Sequence, residues 1–371
     1  MTPLGIYVHL PFCAVKCPYC DFYSGPFRKG AAEAYAEAVC QEMRLYAGKH
    51  LQADTLYFGG GTPSLLEPAL LGKILRTARA CLGLLPSAEI SMEANPNTVT
   101  PARLKGYLQE GVNRISFGVQ SGNARELMAL GRRHTAAQAE QAVCWAKKVG
   151  FPSISIDLML GIPEQTKASL EDSLALAERL PLDHLSVYLL KVEESTPLAG
   201  SPLLERCAGE DELAEMYLHM AERLEGLGYF QYEISNFARP GQESRHNLKY
   251  WEAASYLGFG AAAHSFWEGK RFANPPDLAA YTAHPGEGRL MLEERVCAAE
   301  EYLLLGLRLT KGVSFSRLAE LGGDPELLRR QAARFCDAGL AEEQDEGLRL
   351  TREGFLVSNL ILGELLYSQI T

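Results

Sequence analysis

Six short runs rich in β-branched and aromatic residues recur through the first half of this chain, with helical patterns between them. That alternation limits the fold more than any other feature. The runs are LGIYVHL from Leu4, DTLYFGG from Asp54, AEISMEA from Ala88, NRISFGV from Asn113, SISIDLM from Ser153 and HLSVYLL from His184. Between them apolar residues fall at helical spacing over Ala31 to Tyr46, Leu65 to Cys81, Ala124 to Val149 and Ser169 to Leu180, with Pro and Gly at the ends. Strands joined by helix-length crossovers run parallel, so the expected fold class is α/β, an open partial (β/α)6 TIM-like barrel. Six units instead of eight leave such a barrel unclosed, with a wide mouth.

Polar or glycine-rich residues end every run: a cysteine loop, GGGTP, EANP, GVQS, DLMLGIP and LKVEEST. All six segments therefore fall on the C-terminal rim, the face on which βα barrels carry their chemistry. Residues 236–265 read as irregular structure lining or closing the barrel. From Arg295 the pattern turns helical, followed by a hairpin around Asp345-Glu346-Gly347 and a last helix, which suggests a small winged-helix-like α+β domain. The expected division is a barrel over 1–235, a connecting segment over 236–294 and a C-terminal domain over 295–371.

The formal net charge of −10, without long Lys/Arg blocks, argues against nucleic acid or anionic membrane as a partner. The C-terminal segment carries 9 Lys/Arg against 12 Asp/Glu, which favours a packing or docking module over a DNA reader and weighs against a metal-sensing regulator. No signal-peptide pattern opens the chain and no stretch approaches the roughly 20 apolar residues of a membrane span. A cytoplasmic location is expected, where thiols stay reduced.

Nine cysteines are present, and three of them, Cys13, Cys17 and Cys20, share a C-x3-C-x2-C loop after the first strand. The others, Cys40, Cys81, Cys144, Cys207, Cys297 and Cys336, are scattered singly and read as small buried hydrophobes. Three clustered thiols are half of a disulfide framework, most of a zinc site, or three ligands of a centre that keeps one position open. Structural zinc takes four ligands, often in separated C-x2-C pairs, and no second pair exists here. A four-iron cluster normally takes four thiolates, and the loop offers three.

The loop, with Tyr19 just before its last cysteine, resembles the signature of the radical S-adenosylmethionine (SAM) superfamily, and the resemblance covers the whole barrel. It implies that Cys13, Cys17 and Cys20 hold a [4Fe-4S] cluster whose fourth iron is chelated by the amino and carboxylate groups of SAM. In the same terms GGGTP resembles the segment that receives the ligand's amino group. The resemblance narrows to the branch containing coproporphyrinogen dehydrogenase and HemW, in which Tyr7, Gly60, Gly61, Thr62, Glu93, Gln120, Arg132 and Asp157 occupy matching ligand-binding positions. Glu93 and Asp157 are then acceptors for ribose hydroxyls or the adenine amine, and Arg132 a partner of the methionyl carboxylate. Taken singly, the acids are solvated loop charges and Arg132, beside Arg133, a surface pair.

Two departures separate this chain from the dehydrogenase pattern. Phe22 stands where that enzyme's loop has a further cysteine, and the cysteine loop begins at residue 13, with no room for the enzyme's long N-terminal segment. Conversely, RHNLKYW contains His246, Asn247, Tyr250 and Trp251, which match the HNxxYW motif of HemW-type haem chaperones. An imidazole can ligate haem iron, and Tyr250 and Trp251 offer flat apolar faces. The alternative is a hydrogen-bonded core histidine in an aromatic cluster. His264 has similar status. The resemblance thus implies a carrier of haem that also binds a [4Fe-4S] cluster and SAM, with no catalytic residue assigned. Its implied partners are haem-accepting proteins, with peripheral contact to membrane-bound acceptors, and no nucleic acid. An oxygen-independent coproporphyrinogen III oxidase is the second reading.

Overall fold

The computed structural model describes residues 3–367. Strands β1 (Leu4–Leu10), β2 (Ala53–Gly60), β3 (Leu84–Ala94), β4 (Arg114–Gln120), β5 (Ser153–Leu160) and β6 (His184–Leu189) lie side by side in chain order, all parallel. Alternate side chains point to opposite faces of a strand. One face carries Ile6, Val8, Leu10, Leu56, Phe58, Ile115, Phe117, Ile154 and Ile156, all fully buried in the main core. That core also takes in residues of α1 (Lys29–Arg44), α2 (Pro68–Leu82), α3 (Pro101–Glu110) and, later in the chain, α5 to α7 defined below. The opposite face is polar: Tyr7 and His9, Thr55 and Tyr57, Ser91 and Glu93, Arg114 and Ser116, Ser155 and Asp157, His184 and Ser186. The six-unit parallel barrel expected from sequence is present, and its interior is hydrophilic.

The pattern over Ala124 to Val149 is two helices, not one. Helix α4 (Ala124–Ala129) stops before Gly131, whose φ of 67° lies in the left-handed region, and α5 (Ala136–Val149) restarts from a Thr135/Gln138 capping box. The break matters because it turns Arg132 toward the barrel mouth. Helices α6 (Lys167–Arg179) and α7 (Glu210–Gly226) complete the outer layer.

Residues 236–265 are ordered, contrary to the irregular segment expected. After β7 (Phe230–Glu233), β8 (Asn236–Ala238) pairs antiparallel with β6, then α8 (Arg245–Trp251) follows, and β9 (Tyr256–Phe259) adds a seventh parallel strand beside β1. Strands β10 (His264–Trp267), β11 (Lys270–Ala273) and β12 (Leu290–Glu293) extend that edge antiparallel, giving a sheet of twelve strands. Elements of three or four residues, rich in Gly and Ala, are too short to show a hydrophobic period.

Helix α9 (Leu278–Ala283) precedes β12, and a second apolar core forms around Leu303, Leu307, Leu318, Leu328, Leu348 and Ile361. It is built from α10 (Ala298–Gly306), α11 (Phe315–Glu320), α12 (Pro325–Asp337), α13 (Arg352–Leu356), α14 (Ser358–Tyr367) and a small sheet of β13 (Val313–Ser314), β14 (Ala341–Gln344) and β15 (Gly347–Leu350). Gln344 pairs with Gly347, so the expected hairpin turns at Asp345-Glu346. Residues 368–371 of the expected C-terminal domain, and residues 1 and 2 of the expected barrel, lie outside the described residues. The C-terminal unit joins the barrel through an isolated bridge between Glu233 and Leu309 and through the Arg308 guanidinium, 5.8 Å above the Trp251 ring.

Of the six single cysteines only Cys40 is buried. Cys144 and Cys297 are exposed, against expectation, because Cys144 lies on the solvent side of α5 and Cys297 caps α10. Among the described residues, no helix is long and apolar enough to cross a membrane.

Candidate functional site

The cysteine loop leaves β1 through Pro11, and its two ends are tied together. Phe12–Cys13 pairs parallel with Gly25–Pro26, the Gly25 amide donates to the Pro11 carbonyl at 2.7 Å, and the Phe27 amide donates to that of Cys13 at 3.0 Å. The glycine segment after β2 runs against this stem. The amides of Gly61 and Thr62 donate to the carbonyls of Leu10 and Phe12, at 2.9 and 2.7 Å. A Cβ on Gly61 would stand 2.6 Å from the Phe12 carbonyl oxygen, so close approach of two backbones requires glycine there.

Cys13, Cys17 and Cys20, all partly exposed, face a cavity of about 420 Å³ at the barrel mouth, a size typical of small-ligand sites. Among the described residues no three His, Cys, Asp or Glu side chains converge as the ligands of a single ion would. The same cavity is lined by Gly60, Gly61, Thr62, Glu93, Gln120, Arg132 and Asp157, so seven of the eight expected ligand positions surround the thiols. The eighth, Tyr7, stands one layer deeper, its hydroxyl 3.0 Å from His9 Nδ1, with its ring 6.3 Å from that of Tyr57. Burial raises the Tyr7 phenol well above its usual range.

Arg132 and Arg133 are not a surface pair. Arg133 is exposed, whereas Arg132 Nη1 lies 3.6 Å from Cys17 Sγ and its Nη2 donates to Asn95 Oδ1 and the Gly118 carbonyl, each at 2.5 Å. Thr62 Oγ1 lies 3.7 Å from Cys13 Sγ. Gln120 reaches the cavity from a left-handed backbone with φ of 72°, uncommon for a side chain of its size.

Glu93 accepts from the Tyr57 hydroxyl at 3.1 Å and the Gly60 amide at 3.2 Å, and Asp157 accepts from Ser116 Oγ at 2.8 Å. Both carboxyls are ringed by protein and open only to the cavity. Burial, reinforced by the charge of Asp157, pushes Glu93 up to about 7. Burial, partly offset by hydrogen bonds from Ser116 and Ser186, pushes Asp157 up to about 6. Two acids on strands separated by β4 are thus poised to gain from ligand donors. Around the outside stand four exposed apolar side chains, Val15 and Phe22 on the cysteine loop and Tyr188 and Leu189 at the end of β6.

The HNxxYW residues lie elsewhere. Helix α8 closes the opposite end of the barrel, with its first amides donating to Glu89 midway along β3, from Arg245 at 3.1 Å and His246 at 3.0 Å. His246 is 1% exposed and both ring nitrogens are engaged, Nδ1 with Thr55 Oγ1 and Nε2 with the Tyr250 hydroxyl, each at 2.8 Å. In this arrangement neither nitrogen is free for iron. Burial holds the imidazole neutral, down to about 3. Tyr250 packs edge-on against Tyr256 at 4.6 Å, and Trp251 lies under Arg308. His264, by contrast, is exposed on β10 and lies within electrostatic reach of His9, at the mouth end of β1.

The chain matches the Radical SAM superfamily over residues 7–177 and the HemN C-terminal domain over residues 297–357. It is 37% identical to the heme chaperone HemW of Bacillus subtilis over 381 aligned residues, covering 97% of this chain and 98% of the relative. The chain belongs to the HemW family of radical SAM proteins. The HemW of Escherichia coli is 34% identical over 98% of each chain. The radical S-adenosyl methionine domain-containing protein 1, mitochondrial, of Danio rerio is 32% identical over 98% of this chain and 86% of the relative. In fold, the chain is similar to coproporphyrinogen III oxidase (HemN) from Escherichia coli, with a TM-score of 0.81 at 23% identity over 98% of this chain and 90% of that one. That likeness bears on the fold, which HemW-family and oxidase chains share.

Proposed function

We propose that this protein is a haem chaperone that carries a [4Fe-4S] cluster and SAM at the barrel mouth and hands haem to acceptor proteins. One observation supports the reading above all others: three thiols on a tied loop, two carboxyls of raised pKa and an inward-turned arginine share one cavity of about 420 Å³. Cys13, Cys17 and Cys20 would hold the cluster, each on its own iron, which does not require the sulfurs to converge on one point. Arg132 would meet the methionyl carboxylate, and Glu93 and Asp157 the hydroxyl and amine donors. When bound, the cluster supplies a one-electron centre with an open coordination site. The chain's own side chains bind and orient: the Arg132 guanidinium is held by Asn95 and Gly118, and the Glu93 carboxylate by Tyr57 and Gly60.

The family and the rim support haem transfer. Full-length relatives at 34–37% identity are named haem chaperones. Val15, Phe22, Tyr188 and Leu189 give the mouth an accessible apolar border suited to a flat macrocycle. Phe22, 61% exposed at the position of the dehydrogenase's extra cysteine, favours carriage over oxidative decarboxylation.

The test is to supply the anaerobically reconstituted protein with haem and with coproporphyrinogen III in parallel. A saturable Soret shift near one haem per chain, with no protoporphyrinogen IX formed, is expected. Product at enzyme-like rates would establish the oxidase reading instead.

A further inference from the structure

The rim segment EANP brings a second side chain to the mouth besides Glu93. Asn95 directly follows β3 and reaches two other rim segments at once. Its Oδ1 accepts from Arg132 Nη2 at 2.5 Å, and its Nδ2 donates to Thr62 Oγ1 at 3.1 Å. Each of these partners also stands against a cysteine sulfur. Arg132 Nη1 lies 3.6 Å from Cys17 Sγ, and Thr62 Oγ1 lies 3.7 Å from Cys13 Sγ. Among the described residues, no other side chain is hydrogen-bonded to both Arg132 and Thr62.

The chemistry of the donors fixes the direction of this chain. A guanidinium only donates, so the amide turns its oxygen to Arg132 and its nitrogen to Thr62. That nitrogen has no lone pair to offer, so the Thr62 hydroxyl accepts from it and keeps its one proton for Cys13 Sγ. Arg132 Nη2 spends its two protons on Asn95 and the Gly118 carbonyl, which leaves Nη1 for Cys17. The backbone of Asn95 is pinned as well. Its N–H donates to Ser64 Oγ at 3.1 Å, and its carbonyl accepts from Thr98 Oγ1 at 2.8 Å and from the Thr98 amide at 3.0 Å.

Resting on the reading of Cys13, Cys17 and Cys20 as cluster ligands, we propose that Asn95 is a positioning residue that sets the reduction potential of the cluster. One amide holds one donor on each of two ligand sulfurs, and donors on sulfur favour the reduced, more negative state. Cys20 stands outside this unit, since its sulfur meets the Phe22 backbone amide. Asn95 touches no reacting atom; it acts through Arg132 and Thr62.

The experiment is a redox titration of the anaerobically reconstituted whole protein without SAM, followed by the EPR signal of the reduced cluster. Asn95→Ala and Thr62→Val should each shift the midpoint to lower potential. The double variant should shift by less than their sum, because losing Asn95 already releases the Thr62 proton from Cys13. A midpoint unchanged in Asn95→Ala at full iron and sulfide content overturns the proposal, and so does strict additivity. Should Asn95→Ala lose its cluster, Asn95→Asp keeps the size of the side chain and its hold on Arg132, but its carboxylate only accepts and draws the Thr62 proton away from Cys13. The downward shift it causes should then be smaller in a Thr62→Val background, and a shift of equal size in both backgrounds overturns the proposal. Failure of the underlying reading looks different: the unaltered chain would retain no iron and sulfide at all.

Discussion

His246 stacks on Tyr57, with ring centroids 5.3 Å apart and planes 25° from parallel. Because the Tyr57 hydroxyl donates to Glu93, the helix that closes the barrel floor is in contact, through one ring, with a carboxyl at the mouth. The HNxxYW segment therefore works as a foundation for the site above it. His246→Ala should lower stability by about 2–4 kcal/mol, from the cavity and two lost hydrogen bonds. It should also weaken SAM binding, measured by calorimetry on the folded fraction, while Trp251→Ala weakens it less.

The buried imidazoles set the acid limb of stability. His246 is held down to about 3 and His134 to about 4, while an unfolded histidine titrates near 6.5. Between those values the unfolded chain binds protons that the native state refuses. Their contribution to stability is thus full above pH 6.5 and falls as pH drops toward 3. His246→Gln, if it retains one hydrogen bond, should flatten part of this limb in denaturant titrations.

Glu93 gives the opposite slope. Its folded value of about 7 lies above its usual 4.5, so the native state keeps a proton that the unfolded chain loses. Its contribution is present below pH 4.5 and declines as pH rises to about 7. Glu93→Gln should remove this decline and, at neutral pH, weaken SAM binding by loss of an anionic acceptor. Unchanged slopes in urea titrations at pH 5 and pH 7.5 would refute the assignment.

Arg132→Ala should weaken SAM binding about 10- to 100-fold, as expected for a charge-assisted pair of about 1.5–3 kcal/mol. Arg132→Lys should recover only part, since one ammonium cannot reach Asn95, Gly118 and a carboxylate together. The perturbation that SAM causes in the EPR spectrum of the reduced cluster is the readout.

Replacing any one of Cys13, Cys17 and Cys20 with Ala should abolish iron and sulfide retention after anaerobic reconstitution. Cys144→Ala and Cys297→Ala, at exposed single cysteines, should leave about one cluster per chain. Haem separates the two histidines: His264→Ala should shift the Soret band of the haem complex, and His246→Ala should leave its position unchanged.

The parallel strands were legible because their outward residues, such as Ile6, Val8 and Leu10, alternate with polar inward ones at a period of two. The mouth was legible for the same reason: strand ends inherit the register, so Glu93, Gln120 and Asp157 arrive together. What sequence hid was depth. A short motif such as HNxxYW does not disclose which end of a barrel it meets, and only the small residues at the strand starts hint at the answer. Gly5 and Thr55 leave space for an imidazole, and a Cβ on Gly5 would come within 3.3 Å of His246 Cε1. Likewise nothing in the pattern over 124–149 marked the interruption except Gly131, whose backbone turns Arg132 inward.

The seventh parallel strand has a consequence for how the protein is made. Tyr256 to Phe259 pair with Gly5 to Val8, so one edge of β1 stays open until some 250 residues later have left the ribosome. At translation rates of about 5–20 residues per second, that is an interval of roughly 10–50 s. Throughout it the three thiols near the N-terminus hang from a strand bonded on one side at most. The nascent chain therefore exposes its cysteine loop well before the last parallel strand beside it exists.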